Sequence, residues 1–345
     1  MRRKPWALVA LLASLSIVAA ACGGSSDEGT GTETTAPTEA PGLSGSIVVS
    51  GSSTVQPITS LVAELFAAEN PDVSVSVDGP GTGDGFALFC NGDTDISDAS
   101  RPIKEEEAAL CEQAGINYTE LKIGLDGITV MTNPANSAVS CLSTADLYSL
   151  LGPESQGFTS WSDANALAAQ VGGTGDFPDA PLDITAPGEE SGTYDAFIEL
   201  AGFEDYGVAN GLSEDDAAVM RPDYQASADD NVIIQGIEGS ATSLGFAGFA
   251  FAEGAADQIK EIEVDGGSGC VAPSIETIAD GSYPLSRSLY IYVNTDKAAA
   301  NEALAAFVDY YLSDAGIIAT GEAGYVDLPS ADLEATRAAW SSTGL

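Results

Sequence analysis

The 345-residue sequence contains no histidine, and its 52 Asp and Glu stand against only 11 Lys and Arg, a formal net charge of −41. Each shortage excludes something. Without an imidazole there is no Ser-His-Asp triad, no HExxH zinc site and no histidine general base. With so few bases a phosphate backbone is repelled, which makes nucleic acid a poor partner. Charged residues are only 18% of the chain, so the acidity comes from scarce bases. Hydrophobic residues make up 44%, enough for a buried core and unlike a disordered acidic tail. The length suggests about two domains.

The amino terminus reads as an address. Met1-Arg2-Arg3-Lys4 is basic, and the apolar stretch from Trp6 to Ala21 is short for a spanning helix and ends in small residues before Cys22. Residues 1–21 resemble a bacterial lipoprotein signal, although Ala19 stands where such signals usually carry Leu. Cys22 is then the lipidated first residue and the Gly/Ser/Thr/Pro-rich segment 22–44 a flexible tether. The expected location is outside the cytoplasm, anchored to the outer face of the cytoplasmic membrane. The signal removes three bases and no acid, leaving 52 acids, 8 bases and a charge of −44.

Four cysteines remain, an even number in an exported chain, which points to two disulfides. Of the three pairings open to four cysteines, we favour Cys90–Cys111, which closes a short loop, and Cys141–Cys270. A zinc site fails for want of a CxxC pair or a histidine. An EF-hand at Asn91-x-Asp93-x-Asp95 fails because Ile96 replaces the required glycine. No metal or cofactor is expected.

Strand and helix patterns alternate along the mature chain, as in Ile47-Val48-Val49 followed by Ile58, Leu61, Val62, Leu65 and Phe66 at helical spacing. Such alternation predicts an α/β fold with largely parallel sheets. Four turns between a strand and a helix share one design: Gly51-Ser52-Ser53-Thr54, Gly81-Thr82-Gly83-Asp84-Gly85, Ser100-Arg101 and Ser191-Gly192-Thr193. Helix N-termini present unpaired N–H groups and partial positive charge, glycine admits close approach, and hydroxyls add donors. One such turn is routine capping. Four at the carboxyl ends of strands point to a shared oxyanion.

The stretches GSSTVQPIT at Gly51, DISDASRPI at Asp95, GLDGITVMTNP at Gly124, SGTYDAF at Ser191, ASADDNVIIQGI at Ala226, LGFAGFAF at Leu244 and SIETIADGSYPLSRSLYIYV at Ser274 resemble, in order, the phosphate-binding lipoproteins of phosphate ABC transporters. The resemblance spans essentially the whole mature chain. It implies a type II periplasmic-binding-protein fold, with two α/β lobes, two hinge strands and one phosphate between the lobes. Lobe one is expected at 45–130 and 247–345 and lobe two at 131–246, hinged near Gly127–Asn133 and Leu244–Phe251. The expected phosphate contacts are Ser53, Thr54, Thr82, Ser100, Arg101, Ser191, Gly192 and Thr193. Part of the family carries a ligand arginine four residues before the SGT serine; Pro187 stands there, so the cationic role falls to Arg101. Arg287 is a second candidate, with a structural role at the lobe interface an equal alternative.

Asp126 is the candidate for selectivity. Protonated phosphate can donate a hydrogen bond to a carboxylate, whereas sulfate at neutral pH cannot, so such an Asp rejects sulfate. A simple turn at Asp126-Gly127 competes with this reading, and Asp98 or Asp95 are substitutes for the role. The expected partners are inorganic phosphate and permease subunits with a separate ATPase, the protein itself being monomeric and not an enzyme. The rival readings are another oxyanion, such as sulfate or molybdate, and a serine hydrolase using Ser53 or Ser191, for which no neighbouring lysine base is evident.

Overall fold

In β1 (Gly45–Gly51) Ile47 and Val49 are buried while Val48 between them is exposed, the two-residue period of a strand whose faces meet different surroundings. Helix α1 (Gln56–Glu69) then buries Ile58, Val62 and Phe66, four residues apart, along one stripe. The computed structural model describes residues 42–345. The signal 1–21, Cys22 and its lipidation, and the tether as far as residue 41 lie outside the described residues.

The further strands are β2 (Val73–Asp78), β3 (Ile96–Ala99), β4 (Tyr118–Thr132), β5 (Cys141–Ser143), β6 (Asp183–Ala186), β7 (Gln225–Ala226), β8 (Ser243–Gly248), β9 (Lys260–Asp265), β10 (Cys270–Val271) and β11 (Ser286–Asn294). They lie in the order β2-β1-β3-β11-β4-β8-β6-β7, and β9 pairs with β4, β5 and β10. β1 is parallel to β2 and β3, and β6 is parallel to β7 and β8. β11 runs against β3 and β4, and β4 runs against β8 and β9. The sheet is mixed because the strands that connect its two halves run against their neighbours.

Two cores sit along this sheet. One gathers Ile47, Phe66, Ile96, Leu121, Ile291 and Phe307; the other gathers Leu147, Trp161, Phe197, Phe246, Ile262 and Leu285. In the second core the rings of Phe197 and Phe246 stack with centroids 3.9 Å apart. β4 serves both lobes: Tyr118 to Gly127 pair with β11, and Ile128 to Thr132 pair with β8 or β9. β11 pairs with both β3 and β4, its first residue Ser286 lying opposite Gly127. β8 is an interior strand between β4 and β6, which is why its sequence is continuously apolar. Ile262, Val264, Ile278, Tyr283 and Leu285 pack in the second core.

The disulfide Cys90–Cys111 ties α2 (Thr82–Cys90) to α3 (Glu105–Ala114), and Cys141–Cys270 ties β5 to β10. Both pairings match the expectation. The scarce bases are engaged internally: Arg101, Lys122, Arg221, Arg287, Lys297 and Arg337 pair with carboxylates. Lys260 Nζ donates to the carbonyls of Asn136 and Val139. No described helix is long and apolar enough to cross a membrane.

Candidate anion-binding site

Parallel strands β1, β2 and β3 end side by side, and the turn after each leads towards a helix. After β1, Ser52 shapes the turn: its Oγ accepts the N–H of Thr54 at 3.2 Å and of Val55 at 3.3 Å, and its carbonyl accepts the N–H of Gln56. The hydroxyls of Ser53 and Thr54 are thereby left free for other partners. Gly51 sits at φ 153°, and a Cβ there would stand 2.0 Å from the carbonyl oxygen of Asp98. Only glycine lets β1 and β3 approach so closely where the turn begins. After β2 and β3, Thr82 and Ser100 bring their hydroxyl oxygens to 3.1 Å, and the Ser100 N–H donates to Thr82 Oγ1 at 3.2 Å.

Two arginines are on the same cavity wall. Arg101 forms a two-pronged pair with Glu107, at 2.8 and 2.7 Å, and its guanidinium lies 5.6 Å from the ring centre of Phe86. The hydrogen bond to Glu107 holds the Arg101 pKa above its ordinary value against the opposing effect of burial. Arg287 on β11 donates through Nε to Asp126 Oδ2 at 3.3 Å, through Nη2 to Thr54 Oγ1 at 2.8 Å, and through Nη1 to Glu199 Oε2. Burial raises the Asp126 pKa, and Arg287 opposes the rise.

The second lobe contributes the Gly192–Leu200 helix. Ser191 caps it by accepting the Thr193 N–H at 3.2 Å. Gly192 rests on the Ser53-Thr54 turn, where a Cβ would lie 3.3 Å from the Ser53 carbonyl oxygen. One turn further on, Asp195 Oδ2 accepts from Ser53 Oγ at 3.2 Å, and Glu199 meets Arg287. The four-residue spacing puts both carboxylates on the face turned to the first lobe. Between these groups is a cavity of about 260 Å³ whose walls include Ser53, Thr54, Thr82, Ser100, Arg101, Arg287, Asp195 and Glu199. A larger cavity of about 680 Å³ beside Phe249 carries Glu253, Glu261 and Glu276 and no base, so it repels an anion.

Of the residues expected from sequence, Ser53, Thr54, Thr82, Ser100 and Arg101 are on the cavity wall. Ser191, Gly192 and Thr193 form the adjoining helix start. Asp126 stands behind Arg287, 5% exposed. Asp98 is fully buried beneath the turns, towards Thr59 and Tyr311, and burial pushes its pKa up to about 7. Asp95 is engaged by Lys297 and the Val48 N–H. Arg101 pairs with Glu107 and also lines the cavity. Sequence reasoning missed Asp195 and Glu199; their spacing directly after the Ser191 cap was the available signal.

A model of the PBP superfamily domain matches residues 32–315. Protein SphX of Synechocystis is 41% identical over 286 residues, covering 82% of this chain and 79% of its own. The phosphate-binding protein PstS of Staphylococcus saprophyticus is 35% identical over 333 residues, covering 95% and 92%. The chain belongs to the PstS-like proteins of the PBP superfamily. Among solved PBP structures, a possible phosphate-binding protein from Planctomyces limnophilus aligns with TM-score 0.77 and 34% identity over 87% of this chain and 99% of that one. An ABC-type phosphate transport receptor from Vibrio cholerae aligns with TM-score 0.58 and 25% identity, covering 82% and 100%. The two-lobed PBP fold is thus the architecture of this chain, and members of this family are substrate-binding proteins.

Proposed function

We infer that the protein captures inorganic phosphate outside the cytoplasm and delivers it to an ABC-type permease for import. One observation carries the reading: a small cavity between the lobes combines four side-chain hydroxyls with two guanidinium groups. Hydroxyl and backbone donors at strand–helix turns suit a tetrahedral oxyanion, and each arginine adds charge-assisted hydrogen bonds. The hydroxyl groups Ser53, Thr54, Thr82 and Ser100 with Arg101 and Arg287 form the first-lobe half of the cradle. Ser191, Gly192 and Thr193 supply a helix start from the second lobe.

Selectivity belongs to a carboxylate that can accept a hydrogen bond from protonated phosphate. Asp126 is bonded to Arg287, whereas Asp195 is on the cavity wall and its pKa is raised, chiefly by burial. We assign the proton-accepting role to Asp195, and to Asp126 the positioning of Arg287. Capture ends in closure of the lobes about β4 and β11, a hinge motion. Delivery requires permease subunits and a separate ATPase, since the chain has no GxxxxGK[ST] loop. A lipid on Cys22 would keep the monomeric receptor at the outer face of the membrane, with the tether giving it reach. No catalytic step is assigned to it.

Isothermal titration with phosphate, arsenate and sulfate tests the reading. Saturable binding of phosphate and arsenate with sulfate much weaker is expected; absence of phosphate binding, or equal sulfate binding, would overturn it.

A further inference from the structure

Each of the three nitrogens of Arg287 donates one hydrogen bond, to Asp126, Thr54 and Glu199, and the Glu199 carboxylate also neutralises its charge. Asp126 and Thr54 are both buried and belong to the same lobe, one fixed by strand register and the other by the Ser52 turn. The third partner, Glu199, comes from the other lobe, and its side chain is 56% exposed. It is therefore the exchangeable one, because an exposed carboxylate loses little when it leaves an ion pair for water.

The charge of Glu199 also reaches beyond Arg287. Behind the Glu107 hydrogen bond at Arg101 and behind burial at Asp126 and Asp195, its charge adds a smaller upward push on all three pKa values. Glu107 offsets Arg101 and Asp126 offsets Arg287, leaving Asp195 and Glu199 as uncompensated negative charge on a cavity suited to an anion.

We propose that Glu199 is a built-in competitor for phosphate. Resting on the phosphate reading above, the inference is that the ligand binds by displacing the Glu199 carboxylate from Arg287 Nη1, and that this exchange sets the affinity. The carboxylate swings into solvent, Arg287 stays in place on Asp126 and Thr54, and the freed donor turns to a phosphate oxygen. No covalent bond changes. The same ion pair spans the two lobes, so breaking it releases one interlobe contact as the ligand makes another.

The test is calorimetric titration and stopped-flow mixing of the mature protein with inorganic phosphate, comparing wild type, Glu199→Gln and Glu199→Ala. Both variants are expected to bind about three- to tenfold tighter, with most of the gain in the association rate. Unchanged or weaker binding, with the same melting temperature as wild type, overturns the proposal while leaving the phosphate reading intact. A wild type that does not bind phosphate overturns that reading instead. Glu107→Gln removes one nearby charge too, but it unfastens Arg101 and is expected to weaken binding; a gain equal to that of Glu199→Gln would show a general charge effect and refute the specific role of Glu199.

Discussion

Arg287 on β11 and Asp126 on β4 are register partners in the antiparallel pair that joins the lobes, with Nε 3.3 Å from Oδ2 and both side chains under 10% exposed. Removing the arginine takes a cation from the cavity and leaves a buried carboxylate without its partner. Arg287→Ala is expected to weaken phosphate binding by about 10- to 100-fold, the range of a charge-assisted hydrogen bond, and to destabilise the fold by about 3–5 kcal/mol. Adding Asp126→Asn should restore most of the stability and none of the binding. Titration and chemical denaturation of the double variant check both halves.

The assignment of selectivity to Asp195 makes a direct prediction. Asp195→Asn keeps the shape but offers an amide donor where a lone pair stood, which suits a fully deprotonated anion. The phosphate-to-sulfate affinity ratio should fall by about two- to tenfold, the net worth of one hydrogen bond at a position open to water. Asp126→Asn should change that ratio much less. The reverse order in a competition titration returns the role to Asp126.

Asp98 makes stability depend on pH. Its carboxyl is fully buried, neither oxygen has a hydrogen-bond partner, and the nearby Thr59 hydroxyl pairs with Tyr311. Burial lifts its pKa from 3.8 to about 7. The folded state therefore binds the proton more tightly than the unfolded chain. The stabilisation is full below about pH 4 and is lost as pH rises towards 7, by up to about 4 kcal/mol. Asp98→Asn should flatten this part of the pH–stability curve and raise the melting temperature at pH 8; an unaltered curve in scanning calorimetry would rule the effect out.

Cys141–Cys270 spans 129 residues of sequence but fastens only β5 and β10 at one side of the second lobe. Replacing both cysteines by alanine should cost about 2–5 kcal/mol of stability and leave phosphate affinity within about twofold, since no residue of the cavity wall adjoins them. Denaturant midpoints and phosphate titrations measured together would expose a coupling to the site.

The turns of the site were legible in the sequence because small and hydroxyl residues between a strand and a helix have a local cause, and Ser53, Thr54, Thr82 and Ser100 follow from it. The disulfides were legible from a count of cysteines. What escaped depended on tertiary register. Nothing local to Ser286-Arg287-Ser288 says that it lies opposite Asp126, and nothing in Leu244–Phe251 says that its apolar run begins in a strand flanked by β4 and β6 and ends in a helix. Asp195 and Glu199 are two acids among many in the sequence, and their targets, Ser53 and Arg287, are set only by the tertiary approach of the Gly192–Leu200 helix.

The internal employment of the bases bears on how this protein can be handled and watched. Lys122, Lys260 and Lys297 are each tied to a carboxylate or to carbonyls, and among the described residues Lys104 alone has no partner for its ammonium group. Amine-directed reagents should therefore modify Lys104 before the other three lysines of the described residues. Acylation at the other three lysines would report opening of the structure around them, residue by residue.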